Sequence, residues 1–200
     1  MEAAEWDQRF AEKPWAWSAE PNMWVTSELS EEPPGRALDL GAGEGRNAVW
    51  LASRGWQVDA VDFSAVALQR ASELAGSHRV AIHTHVADLT LFVPQAEGYD
   101  LALLCYLHLE PESMESVLHR AVTAVRPGGT LLLVGHDVSN LEHGVGGPQD
   151  PDVLTSVALV TEAWEKRAEI LFASVERREV RGEDGQSAWA LDTVVRARRH

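Results

Sequence analysis

The chain has one cysteine, Cys105, among its 200 residues. That excludes an internal disulfide and any zinc cluster built from several cysteines. It has no run of about 18 apolar residues, so no transmembrane helix is expected. The opening residues, MEAAEWDQRF, are acidic and carry no apolar segment, so no secretory signal is expected there. Positive charge is scarce: 17 Lys and Arg stand against 31 Asp and Glu, a formal net charge of -14. Non-specific nucleic-acid binding requires basic side chains to neutralise phosphates, so nucleic acids and membrane surfaces are disfavoured as partners. The local basic cluster of Arg196, Arg198, Arg199 and His200 reads as a solubilising strand end. There is no repeat, low-complexity stretch or long linker. What remains is a chain with 45% hydrophobic residues and room for a sizeable core. It is read as one cytoplasmic domain over residues 1–200, with residues 1–30 as an N-terminal helical extension or lid.

Short apolar runs alternate with helical periodicity, the pattern of βαβ units around a parallel sheet. The breaker cluster Glu31-Glu32-Pro33-Pro34-Gly35 closes the extension. Ala37–Leu40 reads as a buried strand, Arg46–Arg54 as a helix stopped by Gly55, and Gln57–Phe63 as a second strand. Ser64 caps a helix with Ala67, Leu68, Ala71, Leu74 and Ala75 on one stripe. Val80–Val86 alternates like a strand with one less buried face. Tyr99–Leu107 is nearly all apolar, as a central parallel strand is. Pro111 opens a helix that Pro127-Gly128-Gly129 stops, and Thr130–Gly135 is a fifth strand. Asp137–Asp152 reads as a loop, with three glycines in the stretch His143 to Pro148 suiting a mobile cover. A helix near Ser156–Arg167 follows. Two late strands, Glu169–Val180 and Ser187–Arg198, are joined by a short turn and so run antiparallel. The expected fold is α/β: a Rossmann-like, seven-stranded, mostly parallel sheet with a C-terminal antiparallel hairpin and helices on both faces.

The sharpest signal is Asp39-Leu-Gly41-Ala42-Gly43-Glu-Gly45-Arg46-Asn47, between a strand and a helix. Glycines let a ligand approach the backbone, and the carboxyl end of a parallel strand is where open α/β sheets bind ligands. A dinucleotide G-x-G-x-x-G requires glycine at position 46, which is Arg; the third glycine stands at Gly45. Asp39 suits a cationic amino group on the ligand. Asp62, at the end of the second strand, suits a ribose diol or else contributes to the helix cap beside Ser64. Asp88 suits an adenine amino group, with Leu89 against the ring, or else simply forms a turn.

The run DLGAGEGRNAVWLASRGWQVDAVDFS resembles motif I and the second acidic motif of class I S-adenosylmethionine-dependent methyltransferases. Its G-x-G-x-G-R-N variant is similar to the branch containing tellurite-resistance and thiopurine methyltransferases. The opening W-D-x-R-F, Glu20-Pro21-Asn22, and Arg126-Pro127-Gly128-Gly129 before a strand resemble segments of the same group. The resemblance spans roughly residues 6–137 and implies S-adenosylmethionine as cofactor. It places Asp39, Gly41 and Gly43 beside the methionine part, Asp62 on the ribose and Phe63 against the adenine. Asp88 and Leu89 fall at the adenine edge and Cys105 near the sulfonium, with Ala42, Arg46, Asn47 and Ser64 completing the cofactor set. Cys105-Tyr106-Leu107-His108 stands where an Asn/Asp-Pro-Pro-Tyr/Phe motif would signal methylation of adenine or glutamine amides.

Methyl transfer is an in-line displacement that needs alignment and exclusion of water more than a covalent nucleophile. The sequence offers no triad. Tyr106, His108, His136 and Asp137 fall at carboxyl ends of expected strands, and His136 is the candidate general base. Four of the eight tryptophans, Trp6, Trp15, Trp17 and Trp24, precede the first strand. They read as packing onto the sheet or as a lid, and Trp15, Trp17 and Trp24 join Tyr106 and His108 as candidate acceptor-side residues. No metal site is expected. The acceptor is read as a small molecule. A non-catalytic S-adenosylmethionine-binding module and a nicotinamide-dependent oxidoreductase stand as the alternatives.

Overall fold

Strands β1 (Arg36–Leu40), β2 (Gln57–Asp62), β3 (His83–Val86), β4 (Tyr99–Cys105), β5 (Val125–His136), β6 (Ala168–Arg181) and β7 (Ser187–Arg199) form one sheet. Their order in the computed structural model is β3-β2-β1-β4-β5-β7-β6; residues 19–181 and 187–200 are described. The first five strands are mutually parallel, and β7 runs antiparallel to both β5 and β6. This is the expected Rossmann-like sheet with its closing hairpin. Strand order reverses between β1 and β4, so the loops after those two strands flank the crevice where ligands bind in such sheets.

Helices α1 (Met23–Leu29), α2 (Arg46–Ser53), α3 (Ala65–Ser77), α4 (Pro111–Ala124), α5 (Asn140–His143) and α6 (Val157–Trp164) fill the connections. Two cores result, one on each face. Val25 and Leu29 of α1, Ala48 and Leu51 of α2, and Leu68 of α3 pack on Val58, Leu101, Leu103 and Leu132. On the other face, Met114, Leu118 and Val122 of α4 and Val160 and Trp164 of α6 pack on Leu38, Leu104, Leu131 and Val195. Trp164 is fully buried, and its indole donates to the Leu118 carbonyl at 3.1 Å, so both ends of the ring are satisfied. Truncating a buried Trp of this kind typically costs about 3–5 kcal/mol.

Several boundaries differ from the sequence reading for local reasons. The third strand shrinks to His83–Val86 and is exposed along its length as the edge strand of the sheet. Helix α6 stops at Trp164 after starting at the Ser156 cap, whose Oγ accepts from Leu159 N at 3.2 Å. The expected loop Asp137–Asp152 contains α5 and runs into a 3-10 turn at Pro151–Val153. It is also tied to the sheet. The Asn140 side chain accepts from Leu191 N and donates to the Gly146 carbonyl, and Val145 N donates to Trp189 O. Among the described residues no helix is long and apolar enough to cross a membrane.

Candidate active site

The chain leaves β1 through a turn from Gly41 to Gly45 and enters α2. Gly43 adopts φ +53, and a Cβ there would meet nothing within 4 Å, so the turn opens onto free space. Gly45 adopts φ +80 and closes the other side: a Cβ there would lie 2.5 Å from the Ala71 Cβ, so glycine lets α2 approach α3. Gly41 N and Ala42 N both donate to the Val61 carbonyl, which binds the turn to β2. Beneath it lies Asp39, 1% exposed, with neither carboxylate oxygen holding a hydrogen bond. Burial and the nearby Asp62 charge push its carboxyl up to about 7, against the opposing Arg46 guanidinium and Ala48 amide. A buried carboxyl without a partner is costly, and it marks a place prepared for a donor or a cation.

Asp62, buried at the end of β2, accepts from Gly43 N at 2.8 Å and from Ser64 N at 2.9 Å. It therefore pins the glycine turn to β2 and takes part in the cap of α3, where Ser64 Oγ accepts from Ala67 N. Phe63 between them is half-buried. Asp88 is exposed after β3 and accepts from Thr90 N and Thr90 Oγ1, both at 2.8 Å, so it forms the turn. Leu89 is 4% exposed and points into the core beside Met114. Asn47 is buried and accepts from Asn22 N at 2.9 Å, which ties the segment before α1 to the first turn of α2.

The acceptor-side candidates gather at the ends of β4 and β5. Cys105 is buried, and burial holds its thiol up at about 11, so it stays a neutral thiol. Tyr106 follows with φ +55, an uncommon conformation for a bulky residue. Two guanidiniums lie near its ring, with Arg46 Cζ 6.0 Å and Arg178 Cζ 5.6 Å from the centroid. The His136 ring is 4.7 Å from the Tyr106 ring and 5.8 Å from the near-parallel His108 ring. Trp24 reaches the same group from α1. Trp15 and Trp17 lie outside the described residues.

The residue that unites them is Asp192 of β7, fully buried and paired across the sheet with His136. Its Oδ2 accepts from Trp24 Nε1 at 3.0 Å, Tyr106 OH at 2.8 Å and Arg178 Nε at 2.7 Å. Its Oδ1 faces Arg178 Nη2 at 3.4 Å and His136 Nδ1 at 3.5 Å. Burial alone would raise this carboxyl, but His136, Arg178 and Tyr106 outweigh it and hold it at about 2. Burial acts first on Tyr106 too, and with the Asp192 charge it raises the phenol well above its usual range. Sequence reading missed Asp192 and Arg178, because nothing local distinguishes an acid or an arginine in a hairpin strand. It also missed Glu44, buried in the glycine turn and paired to Arg70 at 2.7 Å.

Residues 37–129 match the family described as a methyltransferase domain. The chain is 32% identical over 108 residues to a ribosomal RNA small subunit methyltransferase C from Alcanivorax borkumensis, covering 52% of this chain and 33% of the relative. TehB from Haemophilus influenzae superposes with a TM-score of 0.73 at 22% identity, covering 88% of this chain and 61% of that one. The N-methyltransferase NodS from Bradyrhizobium japonicum, in complex with S-adenosyl-L-homocysteine, gives a TM-score of 0.73 at 19% identity over 98% and 97% of the two chains. The chain is thus similar to methyltransferase domains over residues 37–129 and shares the fold of TehB and NodS. It spans about a third of the length of the ribosomal RNA relative.

The turn after β1 fits S-adenosylmethionine on observations of its own. The Asp39 carboxylate, without a hydrogen-bonded side-chain partner, meets the need of an ammonium group, and the open side of Gly43 leaves room for a chain to lie along the backbone. The basic strand end, by contrast, is consumed internally. Arg196 and Arg198 pair with Glu32, and Arg199 pairs with Glu97 at 3.1 Å.

Proposed function

We propose that this chain methylates a small molecule with S-adenosylmethionine as donor. The observation that carries the reading is Asp39: buried, without a hydrogen-bonded side-chain partner and held beneath an open glycine turn, it is completed by a ligand with an ammonium group. In this reading Gly41, Ala42 and Gly43 lie along the methionine tail. Asp62 accepts from the ribose hydroxyls while keeping its bonds to Gly43 and Ser64, since each carboxylate oxygen has two lone pairs. Phe63 flanks the adenine, Asp88 offers its second oxygen at the adenine edge, and Leu89 supports that edge from within the core. Arg46 and Asn47 fix the turn, and Cys105 closes the floor near the methyl. When bound, the cofactor supplies a methyl group on a good leaving sulfur. The chain supplies the rest: Trp24 and α1 over the mouth to exclude water, Tyr106 and His108 as walls, and His136 as the base for an acceptor that must lose a proton.

The chain is taken as one domain working in the cytoplasm, with residues 1–30 as an N-terminal helical extension or lid. The tellurite-resistance-like branch is favoured by the G-x-G-x-G-R-N turn and the Glu20-Pro21-Asn22 segment, whose Asn22 is tied to Asn47. An RNA acceptor is the second reading, favoured by the ribosomal RNA relative. Against it stand the net charge of -14 and the internally paired arginines of β7. Titration calorimetry with S-adenosylmethionine, S-adenosylhomocysteine and NAD separates this reading from a nicotinamide enzyme. Conversion of S-adenosylmethionine to S-adenosylhomocysteine with thiols, phenols, amines and an RNA transcript separates an enzyme from a binding module and a small acceptor from RNA. Heat from NAD alone, or turnover with RNA alone, would replace the proposal.

A further inference from the structure

Asp192 is an unusual expense for the fold. A fully buried carboxylate collects a tryptophan from α1, a tyrosine from the loop after β4, an arginine from β6 and a histidine from β5, at the end of the sheet where the acceptor would sit. Its two oxygens are used unequally. Oδ2 takes three short hydrogen bonds, whereas Oδ1 has only Arg178 Nη2 at 3.4 Å and His136 Nδ1 at 3.5 Å. His136 Nδ1 is buried and makes no hydrogen bond of normal geometry, and Asp192 Oδ1 at 3.5 Å is the acceptor facing it. The imidazole is restrained on its other sides as well. Tyr106 and His108 lie against its rings, and Gly147 leans on it so closely that a Cβ there would stand 2.9 Å from His136 Cδ2. The charged and titratable groups facing it are thus Asp192 with its partner Arg178, Tyr106 and His108.

We propose that Asp192 is a positioning residue that keeps the proton of neutral His136 on Nδ1, so that Nε2 presents its lone pair to an acceptor carrying a proton on its nucleophilic atom. This rests on the methyl-transfer reading and narrows it to protic acceptors: thiols, hydroxyl groups, or amines and heteroaromatics bearing N–H. A histidine nitrogen is a base only where its partner nitrogen is held protonated, and a carboxylate at that partner is the usual means. In the step, a lone pair of the acceptor atom forms a bond to the methyl carbon. The carbon–sulfur bond breaks with its electron pair left on sulfur, and the acceptor proton passes to Nε2. The imidazolium then faces the Asp192 charge, which stabilises it. Trp24 shares Oδ2 of the same carboxylate, so the covering helix α1 and the base hang from one anchor.

The test is long-range proton–nitrogen NMR on the intact protein with 15N-labelled histidine, near pH 8, without and with S-adenosylhomocysteine. His136 is assigned by its disappearance in His136→Gln. The expected signature is a pyrrole-type Nδ1 and a pyridine-type Nε2 in wild type. In Asp192→Asn, whose amide also offers hydrogens to the ring, the signature moves to Nε2–H. An Nε2–H form dominating in wild type overturns the proposal, whether or not the variant folds. An Nδ1–H form that persists unchanged in a folded Asp192→Asn protein overturns it too. Loss of S-adenosylhomocysteine binding would show in the same samples as absent ligand shifts. That would strike the methyl-donor reading while leaving the tautomer result standing.

Discussion

Asp39 and Asp192 are both aspartates at the ligand end of one sheet, 1% and 0% exposed, yet their surroundings drive them in opposite directions. Asp39 has no hydrogen-bonded side-chain partner and a second acid, Asp62, nearby; burial pushes it up to about 7. Asp192 suffers the same burial, but His136, Arg178 and Tyr106 hold it at about 2. The same desolvation therefore gives one group that waits for a cation and another already complete with its own. The first is a buried charge that costs stability. The second is a scaffold that the protein finishes for itself.

The largest expected effect lies on the finished side. Asp192→Ala strands the Arg178 guanidinium in a mostly buried place and should cost about 3–5 kcal/mol in urea unfolding. A loss well below that range would mean the cluster is looser than its distances. On the other side, Asp39→Asn should weaken S-adenosylhomocysteine about 100-fold by calorimetry, the scale of losing a buried charge partner. The same variant should unfold at higher urea than wild type at pH 8. The sign follows from linkage: a carboxyl whose folded value, about 7, exceeds its unfolded 3.8 favours the folded state below the lower value. That benefit is lost as pH rises through about 7, so removing the charge helps most above it. Asp192 has the reverse sign, and its contribution is kept above the ordinary 3.8 and lost as pH falls toward 2.

Between these two regions, Gly45→Ala tests the turn itself. The added Cβ meets Ala71 at 2.5 Å from a left-handed backbone and should cost about 2 kcal/mol, with α2 displaced from α3. A smaller effect comes from pH alone. At pH 6 only about a tenth of Asp39 is ionised, so affinity for S-adenosylhomocysteine should be about tenfold weaker than at pH 8. Trp24→Phe is the mildest. It removes one of three donors to Asp192 Oδ2 and should cost about 1 kcal/mol in unfolding while leaving the sheet intact.

The Asp39 side was readable in the sequence because its parts are local. Asp39, the glycines and Arg46 fall within eight positions, and Asp62 is the end of the next strand. Spacing there encodes geometry directly, and so does the helical and strand periodicity that revealed the fold. The finished side is assembled from residues far apart in the chain: Trp24 and Asp192 are separated by 168 positions and Tyr106 and Asp192 by 86. His136 was recognisable from its strand end. Its partner was not, because the β5–β7 register that sets His136 opposite Asp192 depends on how the hairpin folds back. Asp88 and Leu89 stand where local pattern places an adenine contact. The exposed turn uses one oxygen of Asp88 and the core holds Leu89, a division of labour that the spacing of the sequence does not reveal.

The central claim is that the chain holds a methyl donor by completing Asp39. Titration calorimetry of S-adenosylhomocysteine into the intact protein and into Asp39→Asn, at pH 8 and pH 6, tests it most directly. The account predicts saturable binding to wild type that weakens about tenfold at the lower pH, and binding to the variant that is weak and insensitive to pH. Binding that is equal in both proteins at both pH values would contradict it, as would no heat from the folded wild type.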